Sequence, residues 1–414
     1  MADWAVTTAN SRLEFDTQNC IRLSCCNIDS NHFINFWGGT DTDGFVQVFT
    51  VNTSTWAVTT ANASLEFDTV YGVYNSCCQV DSSHFIDFWA GSEDDGYVQV
   101  FTVNTSTWAV TTANASLEFD TVYGTYNSCC QIDSNHFINF WGGESLDGYV
   151  QVFTVNTSTW AVTTANARLE FNTVNGIYNS CCQIDSNHFI NFSAGNSLDV
   201  FVQVFTVNTS TWAVTTANAS LRFETAGTTG SSCYQIDSSH FINFWDGESL
   251  DGYVQVFTVN TSTWAVTTAN ARLEFDTVNG TYNSCYQVDS NHFIDFWAGS
   301  GDDGYVQVFT VNTSTWAVTT ANASLEFDTV NGTRNSCYQI DSNHFINFWA
   351  GTDTDGFVQV FEVELPASAG GTNMQLNVGD SWKDVTAVKL NVGDTWKSVT
   401  KVQINVGDTW RTVF

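Results

Sequence analysis

Seven histidines, His32, His84, His136, His188, His240, His292 and His344, follow one another at a constant step of 52 residues. Trp4, Trp56, Trp108, Trp160, Trp212, Trp264 and Trp316 keep the same step. Between them one block recurs, Gln131-Ile-Asp-Ser-Asn-His-Phe-Ile-Asn-Phe-Trp141 and then Trp160-Ala-Val-Thr-Thr-Ala-Asn166 in its third copy, with no residue inserted or deleted. A strict period of this length describes an array in which each unit needs its neighbours to bury its apolar surface.

Within a block the pattern is all β. In the third, Asn127–Asp133 reads as a strand, Ser134-Asn135 as a tight turn and His136–Trp141 as a second strand. A loop over 142–148 leads to a third strand, Tyr149–Asn156. Thr157-Ser-Thr159 then turns into a fourth, Trp160–Ala165, which runs on toward Leu169-Glu-Phe171. Short runs rich in β-branched and aromatic residues, punctuated by Asn, Asp, Ser and Gly, support each assignment. Along His136–Trp141, Phe137 and Trp141 point one way and Ile138 and Phe140 the other, so the sheet must be covered on both sides. Seven four-stranded units with no spare linker then favour a ring, a seven-bladed β-propeller. The array starts inside a block, with Trp4-Ala-Val-Thr-Thr8, and ends on Phe357-Val-Gln-Val-Phe361 without the strand that should follow. The N-terminal strand is therefore expected to complete the last sheet.

Residues 1–363 form this propeller in the sequence reading, 364–374 a linker holding the one proline, Pro366, and 375–414 a tail of β-hairpins. The tail repeats Asn377-Val-Gly-Asp-Ser-Trp382 at 14-residue steps, and its Gly-Asp pairs are hairpin turns. So small a segment is marginal alone, which makes it a candidate for docking to protein partners or for homo-oligomerisation.

Charge separates the two regions. The propeller carries 38 acidic and 6 basic residues, and residues 364–414 carry 5 of each. A surface with this excess repels nucleic acid and anionic membranes. No apolar run is long enough for membrane insertion, and no signal peptide is seen, so synthesis in a host cytoplasm is expected. Paired cysteines such as Cys129-Cys130 give way to Cys-Tyr in later blocks, as in Cys285-Tyr286. That exchange argues for small buried thiols in a reduced compartment rather than disulfides or a zinc site.

The most visible chemical pair is Asp and His across the two-residue turn, Asp29 with His32 and Asp133 with His136. A carboxylate holding an imidazole serves catalysis when a nucleophile lies beyond it. Seven equal copies with no such nucleophile favour a structural turn, and no catalytic residue is assigned. Gln131, Asn139 and Gln151 are polar among apolar neighbours and would ladder between strands or line a channel. The loops Thr40-Asp-Thr-Asp-Gly44, Ser92-Glu-Asp-Asp-Gly96 and Ser300-Gly-Asp-Asp-Gly304 cluster carboxylates. Asp41, Asp43, Asp94, Asp95, Asp302 and Asp303 are thus candidate Ca²⁺ ligands, although the alternating set of an EF-hand is missing and no cofactor is required.

The repeats differ mostly in those loops and in the inter-block connections such as Val70-Tyr-Gly-Val-Tyr-Asn75. Both should emerge on one face of the disc, leaving the other uniform, and loops on a rigid scaffold are where binding resides. Tyr71, Tyr74, Tyr123 and Tyr126 are candidate binding residues there. Block four departs furthest, with Ser193 for Trp and Val200 for Gly, followed by Arg222 for Glu and the unusual loop containing Thr228. These too are candidates.

The ring with its N-terminal closing strand resembles WD-repeat propellers, without their Gly-His and Trp-Asp signatures. The Asp-Ser-Asn-His-Phe…Asp-Gly-Phe-Val-Gln-Val-Phe…Trp-Ala-Val-Thr-Thr pattern is similar to repeats in uncharacterised proteins of tailed bacteriophages and environmental bacteria. The tail unit Lys401-Val-Gln-Ile-Asn-Val-Gly-Asp-Thr-Trp410 resembles terminal repeats of phage structural proteins. The resemblance implies a non-enzymatic virion component, such as a fibre, spike or decoration protein, with the propeller for adhesion and the tail for assembly. The alternative is a lectin-like propeller recognising a cell-surface glycan.

Overall fold

The computed structural model describes residues 4–364 except 196–198 and 226, and, beyond them, the backbone of six short strands within 375–412. Contacts divide the chain into two units, the repeat array Ala5–Glu364 and the tail. The array is a ring of seven antiparallel sheets, and the tail strands pair as three separate two-stranded hairpins. Most of the expected linker, 365–374, lies outside the described residues. Among the described residues no helix is long and apolar enough to cross a membrane.

Each blade has five strands rather than the expected four. In the third blade these are Thr125–Gln131, His136–Gly142, Gly148–Val155, Val162–Thr164 and Leu169–Asn172. The last two both pair with the third strand, through Phe153↔Thr164 and Val150↔Leu169. What splits them is a side chain in the middle of that strand: Gln151 Nε2 donates to Asn166 O and takes the place of a ladder bond. Asn166 is thereby turned outward, where its amide donates 2.6 Å to Thr211 O of the next blade. The strand also begins at Val162 rather than Trp160. Trp160 N closes a turn on Asn156 O at 2.6 Å and the residue takes a left-handed φ of 59°.

The two-sided burial expected of the second strand is present. Ile138 and Phe140 pack with Phe189 and Phe205 of the following blade. Phe137 and Trp141 pack with Ile86 and Phe88 of the preceding one. Near the axis a serine of each blade holds the next: Ser128 Oγ accepts Cys181 N at 3.0 Å, and Ser336 Oγ accepts Cys25 N at 3.0 Å. The second contact joins the last blade to the first. Ala5–Thr8 completes the last sheet against Gly356–Glu364, with Val6 opposite Val363. The thiols are free and meet across the seams, as Cys26 Sγ and Cys77 Sγ do at 2.7 Å. In later blades the tyrosine that replaces the second cysteine fills the same seam, with Tyr286 and Tyr338 rings 5.0 Å apart.

Candidate functional site

One rim of the ring is built from turns that repeat almost unchanged. Asp133 Oδ1 accepts the backbone N–H groups of Asn135 and His136, both at 2.9 Å, which closes the turn. His136 Nδ1 lies 2.9 Å from the same oxygen. The imidazole then stacks 3.5 Å from Trp212 of the next blade. His32, beside Asp29 at 2.8 Å, stacks in the same way on Trp108, and His344 carries the pattern across the closure onto Trp56. The ring face is thus covered by an indole, a poor setting for general-base work, and the pair acts as a clip between blades. The period in the sequence held this clip, but nothing local in it says that the histidine of one block meets the tryptophan of the next.

The opposite rim carries the acidic loops and the inter-block connections, hydrogen-bonded together as in Gly124 N to Asp94 O at 2.7 Å. The loop carboxylates Asp41, Asp43, Asp94, Asp95, Asp302 and Asp303 stay apart: among the described residues no three His, Cys, Asp or Glu side chains converge as a ligand set. Tyr123 is exposed at the periphery, and Tyr71 is half-buried beside Asp94. Burial, then the Asp94 charge, pushes the Tyr71 phenol up to about 12.

At the centre of this rim the axial channel opens into a cavity of about 200 Å³. Its collar takes one residue from each blade at the 52-residue step: Arg22, Tyr74, Tyr126, Tyr178, Gly230, Tyr282 and Arg334. The six non-glycine members all have left-handed φ, between 53° and 58°. In these six blades the first strand bulges here, so that pairing passes from Thr125↔Gly142 directly to Ser128↔Phe140. A bulge re-aims a side chain, and six bulky residues held at positive φ represent a conformation that the surroundings must enforce. In five of the six the enforcing group is the next residue, an asparagine, whereas Leu23 follows Arg22. Asn127 Nδ2 donates to Gly124 O at 2.7 Å and to the bulged Tyr74 O of the preceding blade at 3.3 Å, and Asn139 Nδ2 fixes Asn127 Oδ1 at 2.8 Å. This is where Asn139 goes; Gln151 is used by the split strand, and Gln131 is exposed.

The collar is asymmetric. Tyr126 stands between Tyr74 and Tyr178, each ring 4.4 Å away. Burial and the contacts of its hydroxyl with Tyr74 and Tyr178 push its phenol far above the usual range. The Arg22 guanidinium lies 4.6 Å over the Tyr74 ring and 5.5 Å from Tyr126. Burial, then the Arg22 charge, pulls the Arg334 guanidinium down. The propeller's other four arginines are each matched to a carboxylate: Arg12 to Asp328 at 2.5 Å, Arg168 to Asp120 at 2.6 Å, Arg222 to Asp199 at 3.0 Å, and Arg272 to Glu224. The two without a carboxylate, among the described residues, are the two at the mouth.

The sequence-predicted binding residues therefore fall into different places. Tyr74 and Tyr126 are in the collar, whereas Tyr178, Tyr282, Arg22 and Arg334 were missed. Setting the seven copies of that one position side by side would have found them. Of the block-four departures, Ser193 and Arg222 lie in register on either side of Phe201. Arg222 is spent on its surface ion pair. Val200 and Thr228 are fully buried at positions where other interfaces bring two glycines together. A β-carbon at Gly72 would stand 2.2 Å from Gly44 Cα, so larger residues at this pair require another loop path. Asp246 holds that path. It receives the Thr228 hydroxyl at 3.0 Å and Thr229 N at 2.7 Å. Burial still leaves its carboxyl raised to about 6.

No family model matches the chain, and no curated protein matches it. Solved structures do. A candidate 6-phosphogluconolactonase from Bacteroides fragilis superposes with a TM-score of 0.60 at 12% identity, covering 81% of this chain and 92% of that one. The BP39L lectin from Burkholderia pseudomallei gives 0.58 at 11%, covering 84% and 99%. Chaetomium thermophilum Sqt1, bound to the N-terminus of ribosomal protein L10, gives 0.53 at 12%, covering 85% and 98%. At such identities the likeness concerns the fold alone, and on that fold and the internal repeat the chain is a seven-bladed β-propeller.

Proposed function

We propose that this chain is a non-enzymatic binding protein whose recognition site is the axial mouth, and that it takes an anionic group of its ligand there. One observation carries the reading: in an array with 38 acidic and 6 basic residues, the two arginines left without a carboxylate meet at the mouth, framed by tyrosines. A carboxylate, sulfate or phosphate would relieve the repulsion between Arg22 and Arg334, and planar guanidinium groups suit such oxyanions. The resemblance of the repeats and of the tail to phage structural proteins supports a virion setting, with the tail serving assembly.

The glycan reading is the second. Tyr74 and Tyr126 provide aromatic faces on which a sugar can stack, and a lectin shares the fold. A glycan array separates the readings within one experiment. Binding restricted to acidic glycans supports both the site and the lectin role; no glycan binding, with binding of an acidic protein surface instead, keeps the mouth and removes the lectin. The double variant Arg22→Ala/Arg334→Ala should weaken binding by at least about tenfold, roughly 1.4 kcal/mol, without lowering the melting temperature, since two repelling charges are removed. Unchanged affinity would overturn the assignment. Labelling the chain in infected cells tests the setting, and a purely cytosolic signal apart from particles would refute it.

A further inference from the structure

Six blades carry a tryptophan at the end of the second strand, and in five of them its indole donates to an aspartate, whereas Trp245 Nε1 has no partner. In the third blade Trp141 stacks on Tyr149, 5.9 Å away at 27°, and receives the edge of Phe119 at 5.0 Å. Its indole Nε1 donates 2.9 Å to Asp120 Oδ2, while Asp120 Oδ1 accepts Val122 N at 3.2 Å. At the seam of the third and fourth blades the tryptophan is Ser193 and the aspartate is Asn172, so the donor and its acceptor have changed together.

The rest of the clasp remains in place. Phe171 keeps its edge contact with Phe205 at 5.3 Å, the distance at which Phe119 meets Phe153. A β-carbon at Gly195 would stand 2.4 Å from the Phe201 ring and 3.2 Å from Asn172 Nδ2. At Gly143 the same point is 2.4 Å from Tyr149 and 3.1 Å from Asp120 Oδ2. Both walls therefore stand where they do around an indole, and the space between them is a cavity of about 360 Å³ lined by Phe171, Asn172, Ser193 and Phe201. Among the described residues it is also open from outside. In three sister blades an arginine lies over the stacking ring, as Arg168 does 4.3 Å above Tyr149; here the corresponding residue is Ser220, on the cavity wall.

Asn172 reverses the polarity of the site. Val174 N donates to its Oδ1 at 3.2 Å, so the other amide atom, Nδ2, occupies the place of the acceptor Asp120 Oδ2. We infer that the fourth blade holds a binding site for a planar aromatic heterocycle with a hydrogen-bond acceptor on its rim, a pyridine-type nitrogen or ring carbonyl. Such a ring stacks on Phe201, takes the edge of Phe171 and accepts from Asn172 Nδ2. Preformed aromatic-lined cavities that lack their filling side chain take up small aromatic molecules, and the polar edge gives this one a preference.

The test uses three bicyclic probes of similar shape on the full chain: quinoline, with an acceptor nitrogen; indole, with a donor N–H; and indene, with neither. Quinoline should bind by calorimetry with a dissociation constant on the order of 1 mM or better and more tightly than the other two. Asn172→Asp, which restores the sister-blade acceptor, should move the preference to indole. Ser193→Trp, which restores the sister-blade side chain, should abolish binding of all three, whereas Ser193→Ala should leave it intact. The inference is overturned if no probe binds wild type, if indole binds it as well as quinoline, or if Ser193→Trp binds quinoline as before. Should Ser193→Trp not fold, the change of preference in Asn172→Asp decides alone.

Discussion

The two rims of the ring use the same strands and differ in what their ends are for. On the turn rim, seven Asp–His turns repeat almost without change, and the imidazoles of His32, His84, His136, His188, His240 and His344 each lie between their own carboxylate and a neighbour's indole. On the loop rim, the corresponding positions hold Arg, Tyr or Gly in the collar, and Trp or Ser in the clasp. Repetition of a reactive-looking pair marks a joint, since a joint is needed at every interface. Departure from the repeat marks a place where one interface does something the others do not. Some departures are only repairs, as Asp246 is for the Thr228 loop, and their hydrogen-bond partners tell these apart from sites.

The comparison breaks most visibly if the clasp is not a structural unit in the blades that keep it. Trp141→Ala removes a fully buried side chain and one of the donors to Asp120, which keeps Arg168 and Val122 N, and should cost roughly 3–5 kcal/mol in chemical denaturation. A loss below that of an exposed substitution would mean that the blade-four cavity needs no explanation.

The next effect concerns the belt under the collar. Asp87 and Asp295 are fully buried where five other blades have asparagine, with neither carboxylate oxygen partnered. Burial pushes both carboxyls well up. Asn75 Oδ1 and Asn283 Oδ1, which correspond to the acceptor of Asn139, lack a donor that a protonated carboxyl would supply. The folded chain then keeps a proton that the unfolded chain releases above about pH 4. The associated stability is complete below that pH and is lost as pH rises toward the folded values. Asp87→Asn should therefore stabilise by about 1–3 kcal/mol at pH 8 and make no difference near pH 3.5. Equal gains at both pH values would contradict this.

A smaller loss is expected from His136→Ala, about 1 kcal/mol for one stacked ring pair, with binding at the mouth unchanged. A change in ligand affinity without a change in stability would instead restore a chemical role to the histidine. The smallest effect is on acid titration. Burial raises the Asp133 carboxyl, but bonds from Asn135 N and His136 outweigh it and hold the group below its usual value. This contribution is present above about pH 4 and fades as pH falls. Its sign is opposite to that of Asp87, and Asp133→Asn should remove it from the melting profile below pH 4.

Much of this architecture was legible because it repeats. The 52-residue step, the double-sided apolar pattern of Phe137 to Trp141 and the missing last strand determine blades, sandwiching and closure, since no other arrangement covers both faces of every sheet. The diversified rim followed from strand parity. What the chain alone could not disclose were the contacts of particular side chains, within a block and across its seams. The splitting of the fourth strand depends on Gln151 reaching Asn166, and the role of the turn on Trp212 standing over His136. The arginines at the mouth stand out only once the other four are seen to be matched, and Ser193 becomes a cavity only because Phe171 and Phe201 do not close over it. Periodicity is a one-dimensional property and survives in the sequence. The packing across seams, and the charge left unpaired when the ring closes, exist only in the tertiary structure, because closure is what brings those side chains within reach.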